Sequence, residues 1–230
     1  MATILITGAN RGIGLEFANQ YLARGESVIA TCRDPEQAAA LQALQASHPS
    51  LRIQQLDVSS DDSLHRFAAG LGGEAIDVFI NNAGVYGPRS AGFGQVSEQD
   101  WLPVLRVNTV APLIITQLLV DNFRHGQARK LVYVTSKMGS IEDNQSGGSY
   151  IYRSSKTALN QVVRSLAADL ADDGLTAVVI HPGWVQTDMG GPNALIDAQT
   201  SVRGMVAVID GLGTKDSGKF YNYDGNEIPW

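Results

Sequence analysis

A single cysteine, Cys32, occurs in 230 residues. No disulfide can form within the chain, and a reducing, cytoplasmic compartment is expected. Positive charge is scarce: 17 Lys and Arg against 23 Asp and Glu give a net charge of −6, so there is no basic field to hold nucleic acid. The four histidines, His48, His65, His125 and His181, are scattered, and none stands at ligand spacing from a cysteine or carboxylate, so no metal site is expected. The apolar runs read as too short to span a bilayer, and the first residues lack the basic and apolar regions of a secretion signal. No membrane partner is therefore expected. The length suits one domain over residues 1–230 with a single large core.

Strand and helix signals alternate along the whole chain. Short apolar runs at 2–6, 27–31, 51–56, 76–80, 130–135, 175–181 and 219–223 read as strands. Helical patterns fill 15–24, 35–46, 60–71, 98–123, 152–171 and 194–209. The strands are apolar on both faces rather than strictly alternating, so the sheet is parallel and covered by helices on both sides. The expected fold is α/β, a Rossmann-type doubly wound parallel sheet in three layers.

In such a sheet, ligands bind beyond the carboxyl ends of the strands. The first of these ends carries Thr7-Gly8-Ala9-Asn10-Arg11-Gly12-Ile13-Gly14. A glycine-rich turn leading into a helix lets backbone N–H groups approach an anion, where the positive end of the helix dipole also points. Gly8, Asn10, Arg11, Gly12, Ile13 and Gly14 are thus candidates for a dinucleotide phosphate site, with a tight structural turn as the plainer reading. The second strand ends at Cys32-Arg33, where a carboxylate would accept a ribose 2′-hydroxyl. The guanidinium of Arg33 suits a 2′-phosphate instead, with Arg11 as a second charge, so NADP(H) is expected over NAD(H). Asp34 could pair with Arg33 or reach a hydroxyl itself. After the third strand, Asp57-Val58 could meet an adenine amino group, or Asp57 could cap the next helix. After the fourth, Asn82, Ala83 and Gly84 are small enough to let a ligand pass.

Tyr152 and Lys156 lie four apart on one helix and share a face. An ammonium beside a phenol should lower its pKa and make it a proton donor to a carbonyl, or an acceptor from an alcohol. Ser136 ends the fifth strand at the same sheet edge and could hold the oxygen where charge develops. Ser140 and Tyr150 are the rivals, although Tyr150 has Ser154 rather than lysine one turn on. Pro112 follows Asn108 by four residues and deprives the Asn108 carbonyl of its helical partner. This implies either a kink or a water held for proton transfer.

TGANRGIG, LDVSS, NNAG, the VNT around Asn108, VTS, YRSSK and HPGWVQTDM follow one another in an order that resembles the short-chain dehydrogenase/reductase family over nearly the whole chain. YRSSK and the closing FYNYDGNEIPW resemble its sniffer and C-factor subgroup of small carbonyl reductases. The resemblance implies an NADPH-dependent reductase of aldehydes and ketones, reversible on alcohols. In it Tyr152 is the acid/base, and Lys156 lowers its pKa and binds the nicotinamide ribose. Ser136 polarises the substrate oxygen, and the main chain of Asn108 holds a relay water. Pro182, Gly183 and Thr187 would lie along the nicotinamide, with Val185 near the carboxamide. The segment between Ser136 and Tyr152 is long for the family, and the stretch 188–197 would be an abbreviated lid. Tyr86, Phe93, Ile141, Trp184 and Met189 are expected to line an apolar pocket for a small-molecule substrate. A dinucleotide-binding sensor and a methyltransferase are the alternatives, though neither needs the Tyr152–Lys156 pair. The apolar stripes on 98–123 and 152–171 suit either sheet packing or a homodimer or homotetramer.

Overall fold

The computed structural model describes residues 1–89 and 92–230. Among these residues, seven strands form one sheet: β1 (Thr3–Ile6), β2 (Ser27–Cys32), β3 (Leu51–Gln55), β4 (Val78–Asn81), β5 (Lys130–Val134), β6 (Thr176–His181) and β7 (Phe220–Asn222). Their order is β3-β2-β1-β4-β5-β6-β7, and each neighbouring pair is parallel. The order reverses between β1 and β4, which opens a crevice at their carboxyl ends.

Among the described residues, seven α-helices cover the sheet: α1 (Gly12–Ala23), α2 (Ala39–Ser47), α3 (Asp61–Leu71), α4 (Glu98–Leu105), α5 (Ala111–His125), α6 (Tyr150–Asp169) and α7 (Ala198–Gly211). One core gathers Ile4, Ile6, Phe17, Tyr21, Leu41, Val202 and Met205 under α1, α2 and α7. The other gathers Leu5, Phe79, Leu64, Phe67, Ile115, Phe123, Leu159 and Val163 under α3, α5 and α6. Phe79 on β4 stacks on Phe123 of α5 at 5.2 Å. Alternate residues of β1 enter opposite cores, which is why the strand is apolar throughout.

Several element limits move for local reasons. The expected helix at 35–46 divides, because Ala38 takes ψ 57° between a 3-10 turn (Pro35–Gln37) and α2. The expected helix from 194 starts only at Ala198, where Asp197 accepts from the Thr200 N–H at 2.7 Å and caps it. The cap of α3 is Ser60, which accepts from the Ser63 N–H. Asp57 instead takes the N–H and hydroxyl of Ser59, at 2.9 and 2.7 Å.

The region 98–123 is not one regular helix. A π-helical turn, Arg106–Val110, joins α4 to α5. Pro112 removes the N–H that an α turn would offer to the Asn108 carbonyl, so the wider turn begins where that bond is missing. The continuous rod Glu98–His125 has 28 residues, and its most apolar stretch has a mean hydropathy of 1.5. This corrects the expectation that no run is long and apolar enough to cross a bilayer. Within the fold, its Ile115, Leu119 and Phe123 are fully buried in the core.

Candidate active site

A cleft of about 490 Å³ opens at the carboxyl ends of β1, β2, β4 and β5. It is lined by Gly8, Asn10, Arg11, Gly12, Ile13, Arg33, Asp57, Val58, Asn82, Ala83, Gly84, Tyr152, Lys156, Pro182 and Thr187. These residues are far apart in sequence, and the strand ends bring them together.

The turn after β1 offers bare backbone. Arg11 is the N-cap of α1, but its side chain makes no capping bond, and the first helical turn carries no acidic residue. Its N–H groups are therefore left for an anion. Gly12 sits at φ 54°, a left-handed conformation that favours glycine. Gly14 does not face the cleft. A Cβ there would lie 2.3 Å from the Gly8 carbonyl oxygen and 2.6 Å from Asn82 Nδ2. Asn82 ties the turn down by donating to the Thr7 and Gly8 carbonyls at 3.0 Å each.

Arg33 is exposed at the end of β2. Asp34 forms no ion pair with it among the described residues, and accepts instead from the Gln37 N–H at 3.3 Å. Arg11 is paired with Asp188 at 2.8 Å, with both side chains more than two-thirds exposed. So exposed a pair contributes little, and Arg11 can leave it at small cost.

At the inner end of the cleft Tyr152 is 8% exposed and Lys156 4%. Lys156 Nζ lies 5.9 Å from the centre of the Tyr152 ring and donates to the Val134 carbonyl at 3.0 Å. The tyrosine does not have the lowered pKa that the sequence suggested. Burial pushes its phenol up to about 12, the Ser136 hydroxyl pulls it down, and nearby Tyr86 pushes it up. The Lys156 ammonium is turned toward the Val134 carbonyl. The same burial lowers Lys156 to about 8. Of the rivals, Tyr150 is 41% exposed and leans on Phe93. Ser140 is buried and accepts from the Asp143 N–H.

Asn108 is 1% exposed, and its whole side chain is engaged. It accepts from the Val85 N–H at 2.9 Å and donates to the Val85 carbonyl at 2.8 Å and to Ser155 Oγ at 3.0 Å. Three expected coenzyme contacts are not among the residues that line the cleft. Gly14 is packed as above. Gly183 lies against Ile196 and Tyr223, and Val185 is 3% exposed and paired with Ile196 through its backbone. Gln186, Asp188 and Met189 form the wall there instead.

Residues 2–195 match the family described as short chain dehydrogenase. The chain belongs to that family. It is an oxidoreductase. The C-signal protein of Myxococcus xanthus is 47% identical over 167 residues, which span 73% of this chain and 100% of the other. The carbonyl reductase Sniffer of D. melanogaster superposes with a TM-score of 0.95 at 36% identity, covering 100% of both chains. An NADPH-bound carbonyl reductase from chicken fatty liver superposes at 0.94, also at 36% identity, covering 100% of this chain and 99% of the other.

Sequence reasoning missed several parts of this dehydrogenase. Cys32, Leu56, Ser59, Val85, Val107, Val134 and Thr135 also line the cleft. Val107 lies beside Asn108 in the π-helical turn, while the others lie at or just after strand ends, where adjacency is the signal that could have found them. Of the expected pocket residues, Met189 lines the cleft and Tyr86 stacks on Tyr152. Phe93 (91%), Ile141 (72%) and Trp184 (50%) are exposed.

His181, at the end of β6, is largely buried, and its Nδ1 has no partner among the described residues. Burial, with help from Lys137, holds its pKa near 4 instead of 6.5. Between those values the unfolded chain binds a proton that the native chain does not, so stability falls as pH drops from about 6.5 to about 4. A His181→Gln variant is expected to flatten that limb in denaturant titrations across the same range. An unchanged slope would show that other groups set it.

Proposed function

We propose that this dehydrogenase reduces aldehyde and ketone carbonyls with NADPH, and oxidises the corresponding alcohols in reverse. The observation that carries the reading is the arrangement of one cleft. A bare glycine turn on an uncapped helix end lies at one side, and a buried Tyr152 beside Lys156 and Ser136 at the other. The named relatives support it, because two of the matched structures are carbonyl reductases and one of them holds NADPH.

The uncapped first turn of α1 would receive the pyrophosphate, and Arg33, with Arg11 released from Asp188, the 2′-phosphate. Held there, NADPH would supply the hydride for the carbonyl carbon. Tyr152 gives its phenolic proton to the carbonyl oxygen, so the substrate leaves as an alcohol. A phenol with a pKa near 12 is neutral at physiological pH, which is the form a proton donor needs. Ser136 donates a hydrogen bond to the same oxygen as charge develops. The Lys156 ammonium stabilises the phenolate left behind and steadies the ribose. The Asn108 carbonyl, which Pro112 cannot engage, is the group on this chain suited to hold a relay water. The partly exposed Met189 in the cleft wall favours an apolar substrate.

Assay of NADPH consumption over a panel of aryl and alkyl carbonyl compounds tests the reading. Saturable coenzyme binding with no turnover on any of them would favour a sensor. The coenzyme preference has its own check. Arg33→Ala should weaken NADPH binding about 10-fold or more, the worth of a charge-assisted contact. NADH binding should stay within about twofold, since NADH carries no 2′-phosphate for the guanidinium to pair with. Equal losses for both coenzymes, read by fluorescence titration, would remove Arg33 from the phosphate site.

A further inference from the structure

We propose that Tyr86 is a positioning residue for the Tyr152 phenol, and that Arg89 clamps Tyr86 while tying it to the 188–197 loop. The inference rests on the reading of Tyr152 as proton donor. The Tyr86 ring stacks on that of Tyr152 with centres 4.5 Å apart and planes at 24°. Its hydroxyl lies 3.1 Å from Ser149 Oγ, on the residue that precedes α6. Ser149 itself sits at φ 45°, a left-handed conformation unusual for serine that the surrounding contacts must maintain. The Arg89 guanidinium stands over the Tyr86 ring, 5.2 Å from its centre. Arg89 also donates to the Met189 carbonyl, across the mouth of the cleft.

The backbone beneath Tyr86 is fixed as well. Val85 is held at both its N–H and its carbonyl by the Asn108 side chain. Gly87 turns at φ 79°, where a Cβ would meet Val104 at 2.9 Å. The result is a cluster in which Arg89 stands by the Tyr86 ring, Tyr86 stacks on Tyr152, and Lys156 lies 5.9 Å from the Tyr152 ring centre. The Tyr86 stack fixes the plane of the Tyr152 ring and keeps water off one of its faces. The titratable and charged groups around that phenol are Lys156 on its own helix, Tyr86 on the loop after β4, and Arg89 behind Tyr86. Ser136 from the end of β5 is the polar partner. Because Arg89 grips the loop by a backbone carbonyl, loop placement and phenol placement are coupled.

The test compares Tyr86→Ala, Tyr86→Phe and Arg89→Ala in the intact protein, following the pH profile of alcohol oxidation with NADP. Losing the stack lets water reach the phenol. Tyr86→Ala should therefore move the midpoint to lower pH by about one unit and reduce kcat about 10-fold. Tyr86→Phe keeps the ring and should restore both. Arg89→Ala should raise KM by several-fold, with a smaller shift of midpoint, roughly a few tenths of a unit. If Tyr86→Ala does not fold, Tyr86→Val, which keeps some apolar contact but is too small to cover the phenol, should show a shift in the same direction. A midpoint unmoved in both Ala and Val variants overturns the proposal, as does a Phe variant as impaired as Ala. Those failures are distinct from failure of the underlying reading, which would appear as full turnover in Tyr152→Phe.

Discussion

Replacing Tyr152 by phenylalanine is expected to reduce carbonyl turnover about 1000-fold, the upper-middle range for removing a placed general acid. Affinity for NADPH should stay within about twofold, because the ring remains and only one oxygen is lost. The fold should be untouched. The hydroxyl interacts with Ser136 in a site where burial already disfavours its ionised form, so its removal leaves no buried charge. Circular dichroism and fluorescence titration would establish both controls beside the kinetic assay. Lowered turnover with matching loss of coenzyme binding would instead make Tyr152 a packing residue. The contrast with Tyr150 is informative: that residue is 41% exposed, and Tyr150→Phe should change turnover by less than about twofold.

Gly14→Ala should produce the largest loss of stability among the turn substitutions. The added methyl would be 2.3 Å from the Gly8 carbonyl oxygen, 2.6 Å from Asn82 Nδ2 and 3.0 Å from the Ala9 Cα. Two of these are backbone, and the third is the amide that straps the turn to β4. Nothing nearby can move without separating α1 from β1. The cost is about 3 kcal/mol, typical of overpacking where relief is blocked. For a chain of this size that is a fall in Tm of about 10 °C. NADPH binding should weaken by about 100-fold or more, although Gly14 lines none of the cleft, because the N–H groups of the first helical turn move with the displaced strap. Gly70→Ala is the control: it lies inside α3 with nothing within 4 Å of its Cβ. There the helix should gain about 0.5–1 kcal/mol. A Gly14→Ala protein with wild-type Tm and affinity would mean that the turn is looser than its packing implies.

Much of this was legible in the residues because local chemistry and global topology agree. Strands apolar on both faces can only lie between two helical layers, so the succession of apolar runs and helical patterns led to the parallel sheet, whose strands lie in the order β3-β2-β1-β4-β5-β6-β7. The glycine turn, Arg33, Asn82 and the Tyr152–Lys156 pair sit at strand ends or one helical turn apart, positions that sequence spacing specifies. What was not legible depends on where side chains turn. Sequence placed an ammonium beside the Tyr152 phenol and so suggested a lowered pKa. In the fold Lys156 donates to the Val134 carbonyl, and burial dominates the phenol. Val185 looked like a cleft residue, yet it pairs with Ile196 and leaves Gln186 and Thr187 to face the site. The pairing of Arg11 with Asp188, 177 residues apart, has no local signal at all.

The most direct measurement is a turnover of the wild-type protein with NADPH deuterated at the transferring position of C4 and an aryl aldehyde or ketone, with the product analysed by mass spectrometry and NMR. The account predicts an alcohol with a single deuterium on the former carbonyl carbon, and its near-complete loss in Tyr152→Phe. Deuterium absent from the product across the carbonyl panel, despite tight coenzyme binding, would contradict it.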